Sequence, residues 1–457
     1  MSERYDVIVL GVGTAGSRAA ATAARAGARV LAIEAGAELG GLCILRGCMP
    51  TKTLLETAHR LHEIRDAARF GIAAPPPRLD FGAMMRRTRR LVRRFQRAKV
   101  ASIEGAGYEL RRARARLLDP HTVEVEGERC AAKAIVLATG SRPRPLPFPV
   151  EEGTPVLTSD DLFALRAAPR RALVVGAGAV GLEFAQWLAR CGSQVVLANR
   201  SPLLRRWDPE LGQELARALG EELTVAAPLA FEEISSEALR ARDGLGREVR
   251  YPVGDFVLNA VGRVPDLGGL GLEALGLDPT APSFDEHLRL GGLSHVFVAG
   301  DATGTRALLH EANREGAVAG ANAALVARGE APREVLDPTV PPLMVIFTDP
   351  PFACVGRTPQ ACEAEGIPYA VATKRFPQQG RGIVVGARHG LVRLLAEPGG
   401  GKLLGCQILG PRADDLIHVP AAVLTLGGTA GDLYRTPWYH PTLAEAFIEV
   451  ARSLSGG

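Results

Sequence analysis

The sequence predicts an α/β protein with two Rossmann-like nucleotide folds and a C-terminal α+β region, and three observations predict it. An apolar strand, a glycine turn and a helix follow one another twice, the turns beginning at Gly11 and Gly176. After Pro342 the pattern changes to short alternating strands such as 343–347 and 391–395, which read as an antiparallel sheet closed by helices. At 457 residues the chain has room for about three domains of roughly 150 residues each.

Composition narrows the class. With 47% hydrophobic and 23% charged residues and a mean hydropathy of +0.07, the chain can bury a large core, which excludes a disordered protein. The 52 glycines and 32 prolines follow no G-X-Y period, so a collagen-like chain is excluded too. A net charge of +4 is too small a surplus to imply a nucleic-acid partner. Seven scattered cysteines are no disulfide framework and point to a reducing, cytoplasmic compartment. The run from Val7 to Gly11 is too short for a signal peptide, and no apolar stretch is long enough to span a membrane.

In the first fold, Tyr5–Leu10 reads as a buried strand, Gly11-Val12-Gly13-Thr14-Ala15-Gly16 as the turn, and the alanine-rich stretch to Ala26, closed by Gly27, as the helix. Gly11 makes the turn, Gly13 admits a pyrophosphate, and Gly16 lets helix pack on strand. The next strand, Arg29–Ile33, ends at Glu34, whose carboxylate can accept hydrogen bonds from a ribose. In the second fold, the strand Ala172–Val175 leads to Gly176, Gly178 and Gly181, a helix to Arg190, and the strand Gln194–Ala198. The position equivalent to Glu34 is Asn199, followed by Arg200, Arg205 and Arg206. A missing acid among cations suits a 2′-phosphate, so the second nucleotide is expected to be NADPH, with NADH possible; ordinary solvated arginines are the alternative. Gly262 is placed at the same site.

Two strand ends fit FAD in the first fold. Ala134–Ala138 runs into Thr139-Gly140, and His295–Ala299 into Gly300-Asp301. Asp301 could bind ribityl hydroxyls, or equally cap a helix.

Cys43 and Cys48 bracket Ile44-Leu45-Arg46-Gly47. A regular helix would leave their sulfurs about 140° apart, and a strand about 16 Å apart. A bond between them therefore requires a bend, which Gly47 and Pro50 can supply before a helix starting at Thr51; two separate buried cysteines are the alternative. Near the other end, His440 is the strongest acid/base candidate among nine histidines. Glu445 could orient it, or complete a capping box with Thr442.

On these residues the chain resembles the flavoprotein disulfide reductases of the pyridine nucleotide-disulfide oxidoreductase class, which includes dihydrolipoamide dehydrogenase, glutathione reductase and the catalytic core of mercuric reductase. The matching pieces are the two glycine turns, Cys43-x4-Cys48-x-Pro50-Thr51-Lys52, Ala138-Thr139-Gly140, Gly300-Asp301 and His440-Pro441-Thr442-x2-Glu445. The resemblance implies an FAD domain (1–148 and 265–337), an NAD(P) domain (149–264) and a dimerisation domain (338–457). It makes Cys43 the interchange thiol, Cys48 the sulfur against the flavin, and Lys52 a flavin neighbour paired with Glu183. It implies a homodimer in which His440 completes the other subunit's site.

The implied reaction passes hydride from NADPH through FAD to a Cys43–Cys48 disulfide and on to a small, extended or lipoyl-type disulfide. Dihydrolipoamide dehydrogenase using NAD, a mercuric reductase-like enzyme, and an NAD(P)H oxidase or quinone reductase are rival readings; a docking subunit working through a basic helix is another. The bulky Trp438 and Tyr439 are expected to narrow the substrate entrance, which weighs against lipoamide. The thiol-free end, Ser453–Gly457, weighs against mercury. Cys130, Cys191, Cys354, Cys362 and Cys406 lack ligand spacing, so no metal is expected. The arginine-rich run 86–97 reads as a solvated helix face, with an acidic partner as the alternative.

Overall fold

The computed structural model describes residues 3–455; residues 1–2 of the expected FAD domain, and residues 456–457 of the thiol-free end, lie outside them. The chain forms two compact units. One comprises the chain up to Thr53, Met85–Arg144 and Gly262–Asp337; the other comprises Leu54–Met84, Pro145–Val261 and the chain from Pro338 on.

In the first unit, strand β1 (Glu3–Leu10), helix α1 (Thr14–Arg25) and strand β2 (Val30–Glu34) form the first strand–turn–helix–strand segment. β1 lies between β2 and the strand Glu128–Leu137, parallel to both. Val7 and Val9 enter one core, and Ile8 and Leu10 the other. A strand buried on both faces needs an unbroken apolar run, and this explains why the segment lacks alternation. α1 is rich in alanine because the helix Leu309–Ala327 crosses it closely: a Cβ on Gly316 or Gly320 would lie 2.3 Å from the carbonyl oxygens of Ala15 and Ala19. A one-turn helix, α2 (Gly41–Leu45), precedes α3 (Cys48–Asp66), which belongs to the second unit from Leu54 on, and α4 (Phe81–Glu104) follows, in the first unit from Met85 on. α3 starts at Cys48, earlier than the expected Thr51. Pro50 is tolerated as its third residue because a first-turn N–H has no intrahelical acceptor.

In the second unit, β3 (Arg171–Val175), α5 (Ala179–Arg190) and β4 (Gln194–Ala198) repeat the arrangement. Their sheet is parallel, in the order Thr224–Ala226, β4, β3, Phe256–Asn259, Val156–Leu157. After Pro342 comes the expected antiparallel sheet of five strands, in the order 343–346, 352–356, 403–409, 391–396, 370–375. Helix α6 (Ala446–Leu454) covers it with Phe447, Val450 and Ala451. Among the described residues no helix is long and apolar enough to cross a membrane.

Candidate active site

The first glycine turn is sterically determined. Gly11 has φ +90°, and a Cβ there would lie 2.4 Å from the Ala138 carbonyl oxygen; a Cβ on Gly16 would lie 1.8 Å from that of Gly11. Gly13 begins α1 with no side-chain cap and no acid in the first turn, and a Cβ on it would meet only the Gly41 Cα, at 3.9 Å. The backbone N–H groups are thus open to an anion. At the end of β2, Glu34 accepts hydrogen bonds from the Val12 N–H (2.8 Å) and the Gly36 N–H (2.7 Å). The Thr139 hydroxyl donates to the Asp266 carbonyl at 2.7 Å, and Gly140 has φ +83°. Asp301 accepts from the Ser141 hydroxyl at 2.7 Å and lies inside the short helix Gly300–Thr303. The capping reading of Asp301 is therefore corrected: Ala299 occupies the cap position.

The second turn repeats these distances. A Cβ on Gly176 would lie 2.4 Å from the Ala260 carbonyl oxygen, one on Gly181 would lie 1.8 Å from that of Gly176, and one on Gly178 would meet nothing within 4 Å. Asn199 accepts from the Ala177 N–H at 3.1 Å, as Glu34 does from Val12, and donates to the Ser201 carbonyl at 2.6 Å. Arg200, Arg205 and Arg206 are exposed. Gly262, at φ +116°, falls in the first unit, where its carbonyl accepts from the Arg144 N–H at 2.9 Å. Both turns suit a dinucleotide: each offers uncapped N–H groups at the start of a helix of 12 residues, and a middle glycine with open space above it.

The cysteine loop bends as its spacing requires. α2 ends at Leu45, with Arg46 as its cap, and a Cβ on Gly47 would lie 2.9 Å from the Leu42 carbonyl oxygen and 3.1 Å from the Cys43 Cα. Glycine thus lets the start of α3 fold back over α2. Thr51 secures the turn, its hydroxyl donating to the Gly47 carbonyl at 2.7 Å. Cys43 is half-buried and Cys48 exposed, and both are thiols in this structure, so the expected bond is not made in it. The hydrogen bond with Cys48, then burial, then the charge on Cys48 push the Cys43 thiol far above its ordinary range. Of the remaining cysteines, 130, 354, 362 and 406 are buried and Cys191 half-buried.

Lys52 lies on α3 one turn beyond Cys48. Glu183, buried on α5, accepts from the Phe347 N–H at 3.0 Å. His440 is 80% exposed, with its Nδ1 2.9 Å from Glu445 Oε1. The other Glu445 oxygen accepts from the Thr442 N–H at 2.7 Å. One carboxylate therefore serves both roles anticipated for it. The Thr442 N–H first, and His440 second, hold Glu445 below the usual carboxylate range. The ring pair before His440 is corrected in part. Tyr439 is exposed, but Trp438 turns inward against Phe447, centroids 5.7 Å apart, and packs on the C-terminal core.

Three side chains around the first turn escaped the sequence reading. Buried Glu315 accepts from the Gly300 N–H at 2.7 Å, and burial above all pushes its carboxyl up to about 7. Lys99 donates to the Ser17 hydroxyl at 2.7 Å, and Gln96 to the Leu39 carbonyl at 3.0 Å. The available signal was spacing alone: Gln96 and Lys99 stand three residues apart on α4, and Glu315 stands four residues after Glu311, which is also buried.

The pyridine nucleotide-disulphide oxidoreductase family matches residues 5–316, and the dimerisation domain of that family matches residues 343–451. The dihydrolipoyl dehydrogenase of Thermus scotoductus is 35% identical, covering 98% of this chain and 97% of its own. That of Bacillus subtilis is 30% identical, with 98% of each chain covered. Among solved structures, a Cu(II) complex of the HOCl-induced flavoprotein disulfide reductase RclA from Escherichia coli superimposes with a TM-score of 0.83. It covers 98% of this chain and 99% of its own; at 23% identity this is a likeness of fold.

Proposed function

Because the chain belongs to the pyridine nucleotide-disulphide oxidoreductases, we propose that it draws two electrons from NADPH and spends them at Cys43 and Cys48 on reducing a disulfide. The observation that carries this reading is the turn at Gly47, which brings the start of α3 back onto Cys43. When bound, FAD supplies the relay from hydride to sulfur. The chain holds it in the span 1–148 and 265–337, with Gly11, Gly13, Gly16, Glu34, Thr139, Gly140, Asp301 and Lys52 around it. Residues 149–264 hold the nucleotide. Asn199, with Arg200, Arg205 and Arg206, supports NADPH through the missing ribose acid and three exposed cations.

The chemistry balances on sulfur. Two electrons and two protons open the Cys43–Cys48 disulfide to two thiols. Cys43 gives its proton to His440 and, as thiolate, attacks one sulfur of the substrate disulfide; that S–S bond breaks, and the departing thiolate takes the same proton back from His440. Cys48 then loses its proton and attacks the Cys43 sulfur, closing the pair, and that proton passes to the second substrate sulfur as it leaves as a thiol. Glu445 fixes the imidazole through Nδ1, leaving Nε2 for the proton transfer. The family's dimerisation domain supports a homodimer, in which His440 acts in the other subunit's site, and we place the enzyme in the cytoplasm.

The relatives support a second reading in which the same residues run the reaction backwards, oxidising a dihydrolipoyl group with NAD. Anaerobic reduction with NADPH or NADH separates the two, through the relative rates and a long-wavelength charge-transfer band from Cys48. Cys43→Ser is expected to lower disulfide turnover at least about a thousandfold while leaving flavin reduction by NADPH intact. Undiminished turnover of every acceptor would replace the disulfide mechanism with that of an oxidase or quinone reductase.

A further inference from the structure

Helix α4 carries six exposed arginines, Arg86, Arg89, Arg90, Arg93, Arg94 and Arg97. At about 100° per residue they fall within an arc of about 140°, spread over about 16 Å of helix. The opposite side holds buried Met85, Thr88 and Ile103. No acid occurs between Asp80 and Glu104, so every neighbour three or four residues away along this stripe carries the same charge, which weakens a helix. Some exposed helical arginines elsewhere do have an acid at that spacing: Arg60 with Glu56 and Glu63, Arg217 with Glu214, Arg435 with Asp432. Among the described residues, Arg89, Arg90, Arg93, Arg94 and Arg97 have no hydrogen bond or ion pair. A stripe that costs the helix stability, and five of whose arginines have no ion pair among the described residues, is complementary to an external anion.

Its position gives that anion a role. Gln96, on the same helix, is bonded to the Leu39 carbonyl, four residues before Cys43. Lys99, bonded to Ser17, has Cys43 as its ionisable neighbour. Arg93 and Arg97 are within one turn of Gln96, so one end of the stripe lies beside the loop that carries Cys43 and the rest leads away from it. A small disulfide with one or two charges cannot engage a stripe of this length. Guanidinium forks suit carboxylates, α4 has no exposed aromatic ring on which a base could stack, and a net charge of +4 is weak for a polynucleotide binder. We infer that the arginine face of α4 docks an acidic polypeptide that carries the disulfide reduced at Cys43. This rests on the disulfide-reducing function proposed above and names its substrate class.

The test compares two synthetic peptides with the same internal disulfide, one flanked by glutamates and the other by glutamines, as substrates of the flavin-loaded dimer with NADPH. The expected result is a kcat/KM about tenfold higher for the glutamate peptide at low salt, an advantage that vanishes as ionic strength rises. Replacing Arg89, Arg90, Arg93 and Arg94 by Gln should erase that advantage while leaving flavin content and reduction of the glutamine peptide unchanged; Arg93→Gln alone should erase part of it. Equal reduction of both peptides by the wild type, or a glutamate preference that survives neutralisation, overturns the inference alone. So does inhibition by duplex DNA or anionic vesicles at lower concentration than by poly-glutamate. A wild type that reduces neither peptide overturns the disulfide-reductase reading, and the inference with it.

Discussion

At Gly11 and at Gly176 a Cβ would run into the carbonyl oxygen of the strand beside it at the same 2.4 Å, and at Gly16 and Gly181 it would overlap the turn's own carbonyl at the same 1.8 Å. In both turns the side chain that closes the next strand accepts from the residue after the first glycine, Glu34 from Val12 and Asn199 from Ala177. The backbones are near copies; the charge at the strand end is not. Glu34 brings a carboxylate, whereas Asn199 brings an amide followed by three exposed arginines. Sterics thus make the two turns alike in backbone, while one residue at each strand end gives them different charge.

The hardest test of this comparison is to remove one glycine at a time. Gly16→Ala and Gly181→Ala each push a methyl into backbone, which should cost about 3 kcal/mol or more and over a hundredfold in affinity. Each loss should stay at its own site. Gly16→Ala should empty the chain of flavin, seen as lost visible absorbance; Gly181→Ala should keep the flavin and lose its reduction by NADPH. A Gly16→Ala protein that retains flavin would break the equivalence of the turns.

Glu315 sharpens the comparison from behind the first turn. Its folded pKa, raised from 4.5 to about 7, means that its protonated form suits the fold. The associated stability is fully present below pH 4.5 and is lost as pH rises through about 7. Glu315→Gln, which keeps an acceptor for the Gly300 N–H, should remove a decline of up to about 3 kcal/mol across that window. Thermal unfolding of wild type and variant at a series of pH values measures it, and parallel curves would show that the carboxyl titrates normally.

The smallest expected effect is the most diagnostic. Asn199→Glu places in the second turn the carboxylate of the first, and should shift the ratio of flavin reduction rates toward NADH by about tenfold. An unchanged ratio would mean that the exposed arginines alone decide selectivity.

Much of the site was legible because its logic is local. Both turns, both strand-end residues and the need for a bend between Cys43 and Cys48 are contained in short segments whose sterics can be worked out residue by residue. The start of α3 was misplaced because Pro50 reads as part of the bend that precedes a helix, whereas any first-turn position accepts it. Trp438 was expected beside His440 at an entrance; chain proximity carries no information about side-chain direction, and a hydrophobic ring found the core.

The sequence by itself determined the two nucleotide turns, the acid-to-amide change between them and the cysteine pair, because each is written in spacing that the backbone must obey. Only the tertiary structure decided that Lys99 reaches Ser17 across 82 residues and Gln96 reaches Leu39 across 57, and that Glu315 supports Gly300. It likewise left five arginines of α4 without an ion pair among the described residues. Those outcomes depend on which helix face the packing buries, a choice made by the whole core and not by any one segment.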